Sequence, residues 1–243
     1  MVTHDLMQLA ERVWLFPHDP DQELVQPAIG ILCGRHQTVL VDAGNSPAHA
    51  QRVLAALREL DAPPVAYVVY THHHWDHIFG AVAYAAPVIA HDLCREHVQR
   101  SASRPWSKPF LIEQAQRQPT LAGLYQLMDQ VVDDWSEFRV VVPTLTFSDR
   151  MSLHLDGLMV EVEHVGGQHA DDSSIVRVPE AGVVFLGDCF YPPAVEDGGH
   201  EEDYDWPLLA RLMDGTAHTY VHSHGKPFKR TGARGEGPGK RLS

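Results

Sequence analysis

Four imidazoles and a carboxylate fall within seven residues at Thr71-His72-His73-His74-Trp75-Asp76-His77. In an extended segment, residues two apart point the same way. His72 and His74 can then address one cation while His73 and Trp75 face away. Asp76 and His77 come at the turn into the next element and point elsewhere, so one short segment presents two ligand pairs in two directions. Imidazole nitrogen with carboxylate oxygen suits Zn²⁺, and Fe, Mn and Co accept the same donors. The plain alternatives are a solvated His-rich loop or an expression-tag relic. A tag would lie at a terminus, and such a loop needs no strand in front of it.

The neighbouring sequence supplies the elements that would position this segment. Val65-Ala66-Tyr67-Val68-Val69-Tyr70 is apolar, β-branched and aromatic, and predicts a buried strand. Ile78 to Tyr84 predicts a helix ending near Pro87. The cluster then sits at the carboxyl end of a strand, where α/β folds place their sites. Upstream, Val13–Phe16 predicts an edge strand and Pro17 to Pro27 a loop. Ala28–Cys33 and Thr38–Asp42 predict a hairpin, and Pro47–Leu60 a helix. Downstream, Val88–Ala90 predicts a strand, and Asp92 an N-cap for a helix to about Arg100. Residues 101–119, with three prolines, predict a loop, and Leu121–Trp135 returns to helical periodicity. The stretch 92–136 reads as a helical insertion capping the site, or as an ordinary surface helical pair. Strands are predicted over 140–142, 144–147, 151–155, 158–162, 174–178, 183–186 and 219–221, with a hairpin turn at Asp156-Gly157 and a helix over 205–213. Two strand-rich halves, each carrying helices, suggest two sheets packed face to face with helices outside.

The 243 residues suffice for one large α/β domain or two small ones, and a hydrophobic content of 44% supports a substantial core. The formal charge of −13 disfavours a nucleic-acid binder. Six Lys/Arg concentrate in the Gly-rich residues 226–243, read as a flexible basic tail behind a single domain over 1–225. Cys33, Cys94 and Cys189 are few and scattered, which argues against a disulfide framework and for a reducing compartment. No apolar run approaches the roughly 18 residues of a membrane span, and residues 1–12 carry acids and no apolar core of a signal peptide. The expectation is a cytoplasmic protein with a small-molecule substrate and neither nucleic-acid nor membrane partner.

Further candidate ligands follow predicted strands: His169 in a Gly166-Gly167-Gln168-His169 segment, Asp188 in Gly187-Asp188-Cys189, and His222 and His224 before Gly225. With these in view the chain resembles the metallo-β-lactamase-fold superfamily of metallohydrolases. His72-x-His74-x-Asp76-His77 matches its HxHxDH signature, and Asp42-Ala43-Gly44, the His169 segment, Gly187-Asp188 and His224-Gly225 match its other motifs in order. The resemblance covers about residues 12–225. It implies an α+β, αββα sandwich: two mixed β-sheets packed face to face with helices on both outer faces.

It also implies a dinuclear site with two Zn²⁺ per chain, Fe or Mn being alternatives. His72, His74 and His169 would hold one ion, Asp76, His77 and His224 the other, and Asp188 would bridge. Asp42 would hold the site loops by hydrogen bonds. Cys189 is the alternative to Asp188, and His222 the alternative to His224. Tyr191 stands where related lactonases carry a tyrosine that contacts the substrate carbonyl, or is a packed aromatic. The implied activity is hydrolysis of an ester, thioester, lactone or amide by a hydroxide bridging the metals, with Asp76 orienting it. The string from Thr71 to His77 resembles glyoxalase II, but the long C-terminal helical region of that enzyme has no counterpart here. A persulfide dioxygenase-like oxidoreductase with one iron, on the same fold, is the rival reading. A metal-binding protein without turnover is a second.

Overall fold

A computed structural model describes residues 6–194 and 203–229. The chain opens with β1 (Met7–Ala10) and β2 (Val13–Phe16), then the hairpin β3 (Ile29–Cys33) and β4 (Thr38–Val41). Helix α1 (Pro47–Glu59) leads into β5 (Val65–Val69), which delivers the histidine-rich segment. A single turn, α2 (Trp75–Ile78), runs into a 3-10 turn over Phe79–Ala83, followed by β6 (Val88–His91). Helices α3 (Asp92–Ala102), α4 (Lys108–Arg117) and α5 (Ala122–Val131) precede β7 (Leu145–Phe147). The second half runs β8 (Arg150–His154), β9 (Met159–His164), β10 (Ser174–Val178), β11 (Val183–Gly187), α6 (Trp206–Leu212), β12 (Thr219–His222) and β13 (Phe228–Lys229).

Strands β1 to β7 form one sheet in chain order; β13-β12-β11-β10-β9-β8 form the other. Both are mixed: β4, β5, β6 and β7 run parallel in the first, and β11 and β12 in the second, while the other pairs are antiparallel. Period-two alternation assigns the side chains to layers. Leu32, Val39, Val41 and Val69 of the first sheet meet Val160, Val162, Val176 and Phe185 of the second in the central core. Ile29, Ile31, Leu40 and Val68 point to the opposite face, under Ala50 and Val53 of α1 and Cys94 and Val98 of α3. Ile175, Val184 and Leu186 lie under Leu208, Leu209 and Leu212 of α6. The layers are therefore helix, sheet, sheet, helix. Each aliphatic side chain fully buried between them stabilises the fold by about 1.5–3 kcal/mol.

Local signals explain the helices. Ser46 caps α1 by accepting from the His49 amide, with Pro47 in the first turn. Several expectations need correction. Strand β2 is not an edge, because β1 pairs outside it. Residues 101–119 are not all loop: Ser107 accepts from the Phe110 amide and starts α4, with Pro109 in its first turn. Asp92 is the first helical residue of α3, and His91 is its N-cap, accepting from the Leu93 amide. Residues 140–142 join no ladder; the Tyr70 hydroxyl donates to the Val141 carbonyl at 3.1 Å instead. The segment after the histidines is also shorter in α-helix than its sequence predicts, giving way to the 3-10 turn at Phe79. Phe79 carries the helical stretch between β6 and β7, packing against Trp106, Trp135 and Phe138 with ring centroids 5.0, 6.4 and 4.8 Å away. Residues 228–229, read as the start of the tail, pair with β12. Residues 195–202 and 230–243 lie outside the described residues.

Candidate metal centre

The carboxyl ends of β4, β5, β9, β11 and β12 gather at one edge of the sandwich. Two backbone bonds join the sheets there: the Ser174 amide donates to the Thr71 carbonyl at 2.8 Å, and the Ala28 amide to the Ser223 carbonyl at 2.7 Å. Asp42 ends β4 in a left-handed conformation (φ 67°) and ties the loops together. Its Oδ1 accepts from the Thr71 amide at 2.7 Å, and its Oδ2 from the Thr71 hydroxyl at 3.0 Å and from His77 Nδ1 at 2.9 Å. Gly187 brings β11 against the same point. A Cβ there would stand 2.7 Å from Thr71 Oγ1, and its φ of 56° is one that only glycine adopts freely.

His72, His74 and His169 form a first donor set. Because the Thr71 hydroxyl proton goes to Asp42, Thr71 Oγ1 accepts from His72 Nδ1 at 3.1 Å. His169 Nδ1 donates to the Pro192 carbonyl at 2.6 Å. Both imidazoles therefore turn a bare Nε2 inward. These two nitrogens lie 3.1 and 3.0 Å from His74 Nδ1. Three nitrogens at that separation cannot satisfy one another with the single proton His74 Nδ1 could carry; one cation would satisfy all three. Burial, then the neighbouring imidazoles, hold His72 well below its ordinary pKa and His74 at about 3, so both are neutral at pH 7, the form a metal ligand needs.

Asp76, His77, Asp188 and His224 form a second set. Asp76 Oδ2 lies 3.1 Å from His77 Nε2 and 3.2 Å from His224 Nε2. Asp188 Oδ2 is 3.2 Å from each of the same nitrogens and 3.8 Å from His169 Nε2, so it stands between the two sets. Asp188 Oδ1 is buried with no hydrogen-bond partner among the described residues. Burial opposes every charge here, yet His77 and His224 hold both carboxyls well below the usual range. In return the carboxylates raise His77 well above its ordinary value and push His224 up to about 9, again against burial. Without a cation, protons thus occupy the nitrogens a cation would take.

A sequence profile described as the metallo-beta-lactamase superfamily matches residues 23–225. The chain belongs to the metallo-beta-lactamase superfamily. A linear primary-alkylsulfatase from Pseudomonas sp. (strain ATCC 19151) is 25% identical over 178 residues, 65% of this chain and 32% of that protein. The chain thus spans about a third of that relative's length. Among solved structures, a metallo-beta-lactamase from Pontibacter korlensis has 20% identity and a TM-score of 0.61, covering 93% of each chain. The stereoselective inverting sec-alkylsulfatase Pisa1 from Pseudomonas sp. has 18% identity and a TM-score of 0.65, covering 92% of this chain and 38% of that one. These likenesses show the superfamily's αββα sandwich. No helix among the described residues is long and apolar enough to cross a membrane.

The remaining candidates of this superfamily member fall outside both donor sets. Cys189 is buried with Val184, Leu186 and Phe190 in the layer under α6, and burial pushes its thiol far up. His222 is turned to Tyr191, whose hydroxyl lies 2.6 Å from its Nδ1; burial lowers His222 to about 4, so the hydroxyl donates to a neutral ring. The Tyr191 ring borders His169 and His224, with centroids 6.1 and 6.0 Å away. His164 bonds the Asp171 carbonyl and stacks on His91, away from the donors. His73 turns away from the donor sets to Asp172. Sequence reasoning missed Thr71, Asp172 and the Pro192 carbonyl. Thr71 abuts the histidine segment and could have been suspected as its anchor; nothing in the spacing marks the other two.

Proposed function

We propose that the chain is a dinuclear metal-dependent hydrolase, with two Zn²⁺ as the expected ions, acting on a small-molecule ester, thioester, lactone or amide. The observation that carries this reading is Asp188: a buried carboxylate with one orphaned oxygen, standing between three bare or nearly bare imidazole nitrogens and a second His/Asp set. That donor chemistry fits two divalent cations. His72, His74 and His169 would hold one ion, Asp76, His77 and His224 the other, and Asp188 would be shared.

Divalent cations held by these residues would supply a water of lowered pKa and polarise the oxygen of a susceptible bond. The protein's own groups do the rest. Asp42 holds Thr71 and His77 in place, and so holds both ends of the histidine segment. The Asp76 carboxylate is kept ionised by His77 and His224 and is available to orient water. Tyr191 would meet the substrate at the mouth of the site. Its ring is followed by Tyr204 at 5.5 Å and by the partly exposed Trp206 a further 5.1 Å on, an apolar surface for a substrate's substituent. The alkylsulfatase relative adds sulfate esters to the candidate bonds.

The test is a panel of an ester, a thioester, a lactone, a β-lactam and a primary alkyl sulfate, offered to zinc-loaded protein. At least one is expected to be hydrolysed, and Asp76→Ala is expected to abolish that turnover while leaving the circular dichroism spectrum unchanged. Unchanged turnover in Asp76→Ala would refute its role. One iron per chain, with oxygen consumed on a persulfide and no hydrolysis, would replace this reading with the dioxygenase.

A further inference from the structure

Between the two histidines His72 and His74, His73 faces the other way. Its Nδ1 lies 2.8 Å from Oδ1 of Asp172, three residues beyond His169. Asp172 is fully buried, and His73 is about a quarter exposed (27%). On its open side His73 is backed by His97 of α3, with ring centroids 4.1 Å apart and planes 15° from parallel. His97 is itself fixed at both nitrogens, by Asp171 at 2.8 Å and Arg100 at 3.0 Å. Two successive carboxylates of the His169 loop therefore hold two stacked imidazoles, one from the ligand segment and one from α3.

The three-histidine set draws on two loops from different sheets, and its nitrogens already stand at 3.0–3.1 Å. The backbone bond from Ser174 to Thr71 joins these loops at their base. The His73–Asp172 contact joins them farther out, between the two histidines of one loop and just past the histidine of the other. We propose that His73 and Asp172 form a positioning brace that fixes His72 and His74 against His169, so that this donor set is assembled before a cation arrives. The idea rests on the metal-binding reading above. Neither residue belongs to either donor set. Both act through the histidines, and loss of such an outer partner typically weakens metal binding about 10–100-fold.

The experiment needs no substrate. Metal-free protein is titrated with Zn²⁺ against a chromophoric chelator, and the Co²⁺-loaded protein is followed by its visible absorption spectrum. His169→Ala identifies which of the two wild-type binding steps belongs to the three-histidine set. His73→Ala is expected to weaken that step about 10–100-fold and alter its cobalt bands, with the other step unchanged and the apo Tm lowered, because the buried Asp172 carboxylate loses its imidazole partner. His73→Asn, whose amide nitrogen reaches the same oxygen, is expected to restore both. Asp172→Ala is expected to match His73→Ala, and the double variant to be no weaker than either single one, because they remove the same contact. Wild-type affinity and spectrum in His73→Ala would overturn the brace alone. Failure of His73→Asn to restore binding would also overturn it, by pointing to the stack on His97 instead. A wild-type protein that binds no metal at the His169-dependent step would overturn the site reading itself.

Discussion

At the scale of single residues, the donor groups divide by charge. In the first set His72 and His74 are neutral at pH 7; the histidines of the second set hold protons against their carboxylates. This difference gives the metal-free protein a specific pH dependence. His224 titrates near 6.5 when unfolded and at about 9 when folded, so its stabilising contribution is complete below about 6.5 and is lost as pH rises through 9. The difference amounts to about 3 kcal/mol. His72 and His74 have depressed folded values, so they remove stability as pH falls below about 6.5. In chelator, Tm is therefore expected to peak near pH 6.5 and fall toward pH 9. With metal bound in place of those protons, Tm is expected to hold over the same window. Thermal melts with and without chelator decide it; a flat metal-free Tm from pH 6.5 to 9 would contradict the charge assignment.

At the scale of elements, α2 is placed by one close approach. Gly80 lies where a Cβ would stand 2.1 Å from the Ala43 carbonyl oxygen, and its amide donates to the Gly44 carbonyl at 2.9 Å. The Ala43 amide donates to the His77 carbonyl at 2.8 Å, so the turn after β4 and the turn carrying Asp76 and His77 are one unit. Gly80→Ala must separate them. It is expected to cost about 1–3 kcal/mol, lowering Tm by a few degrees or more in a chain of this size. Metal affinity at the Asp76/His77 set is expected to fall with it, and wild-type Tm and affinity would show that the contact does not position α2. The sequence made this region legible because its signals were dense: the apolar Val65–Tyr70 run and the alternating histidines point to one strand end. Elsewhere opposing signals misled. Prolines 105, 109 and 119 read as helix breakers, yet Pro109 sits in the first turn of α4, where a missing amide costs nothing. Strand β1 is four residues with polar Gln8 and weak alternation, visible only through its pairing to β2. Asp172 could not be read as a partner of His73, because 99 residues separate them and only the docking of the sheets brings them together.

At the scale of the whole molecule, that docking is the central point. His72, His74, Asp76 and His77 hang from the first sheet; His169, Asp188 and His224 hang from the second. Neither sheet alone holds a full donor set, so a cation held there would tie the two sheets together and stabilise the fold by mass action. The net charge of −13 favours cations over polyanionic partners. The residues adjoining Asp188 make the account easy to test, since the carboxylate points into the site and the Cys189 thiol into the layer under α6. The decisive measurement is metal bound per chain after equilibrium dialysis against Zn²⁺, by elemental analysis, for the wild type, Asp188→Ala and Cys189→Ser. Two ions in the wild type and in Cys189→Ser, and fewer in Asp188→Ala, are expected. One ion or none in the wild type, or loss in Cys189→Ser with retention in Asp188→Ala, would contradict a two-metal centre shared through Asp188.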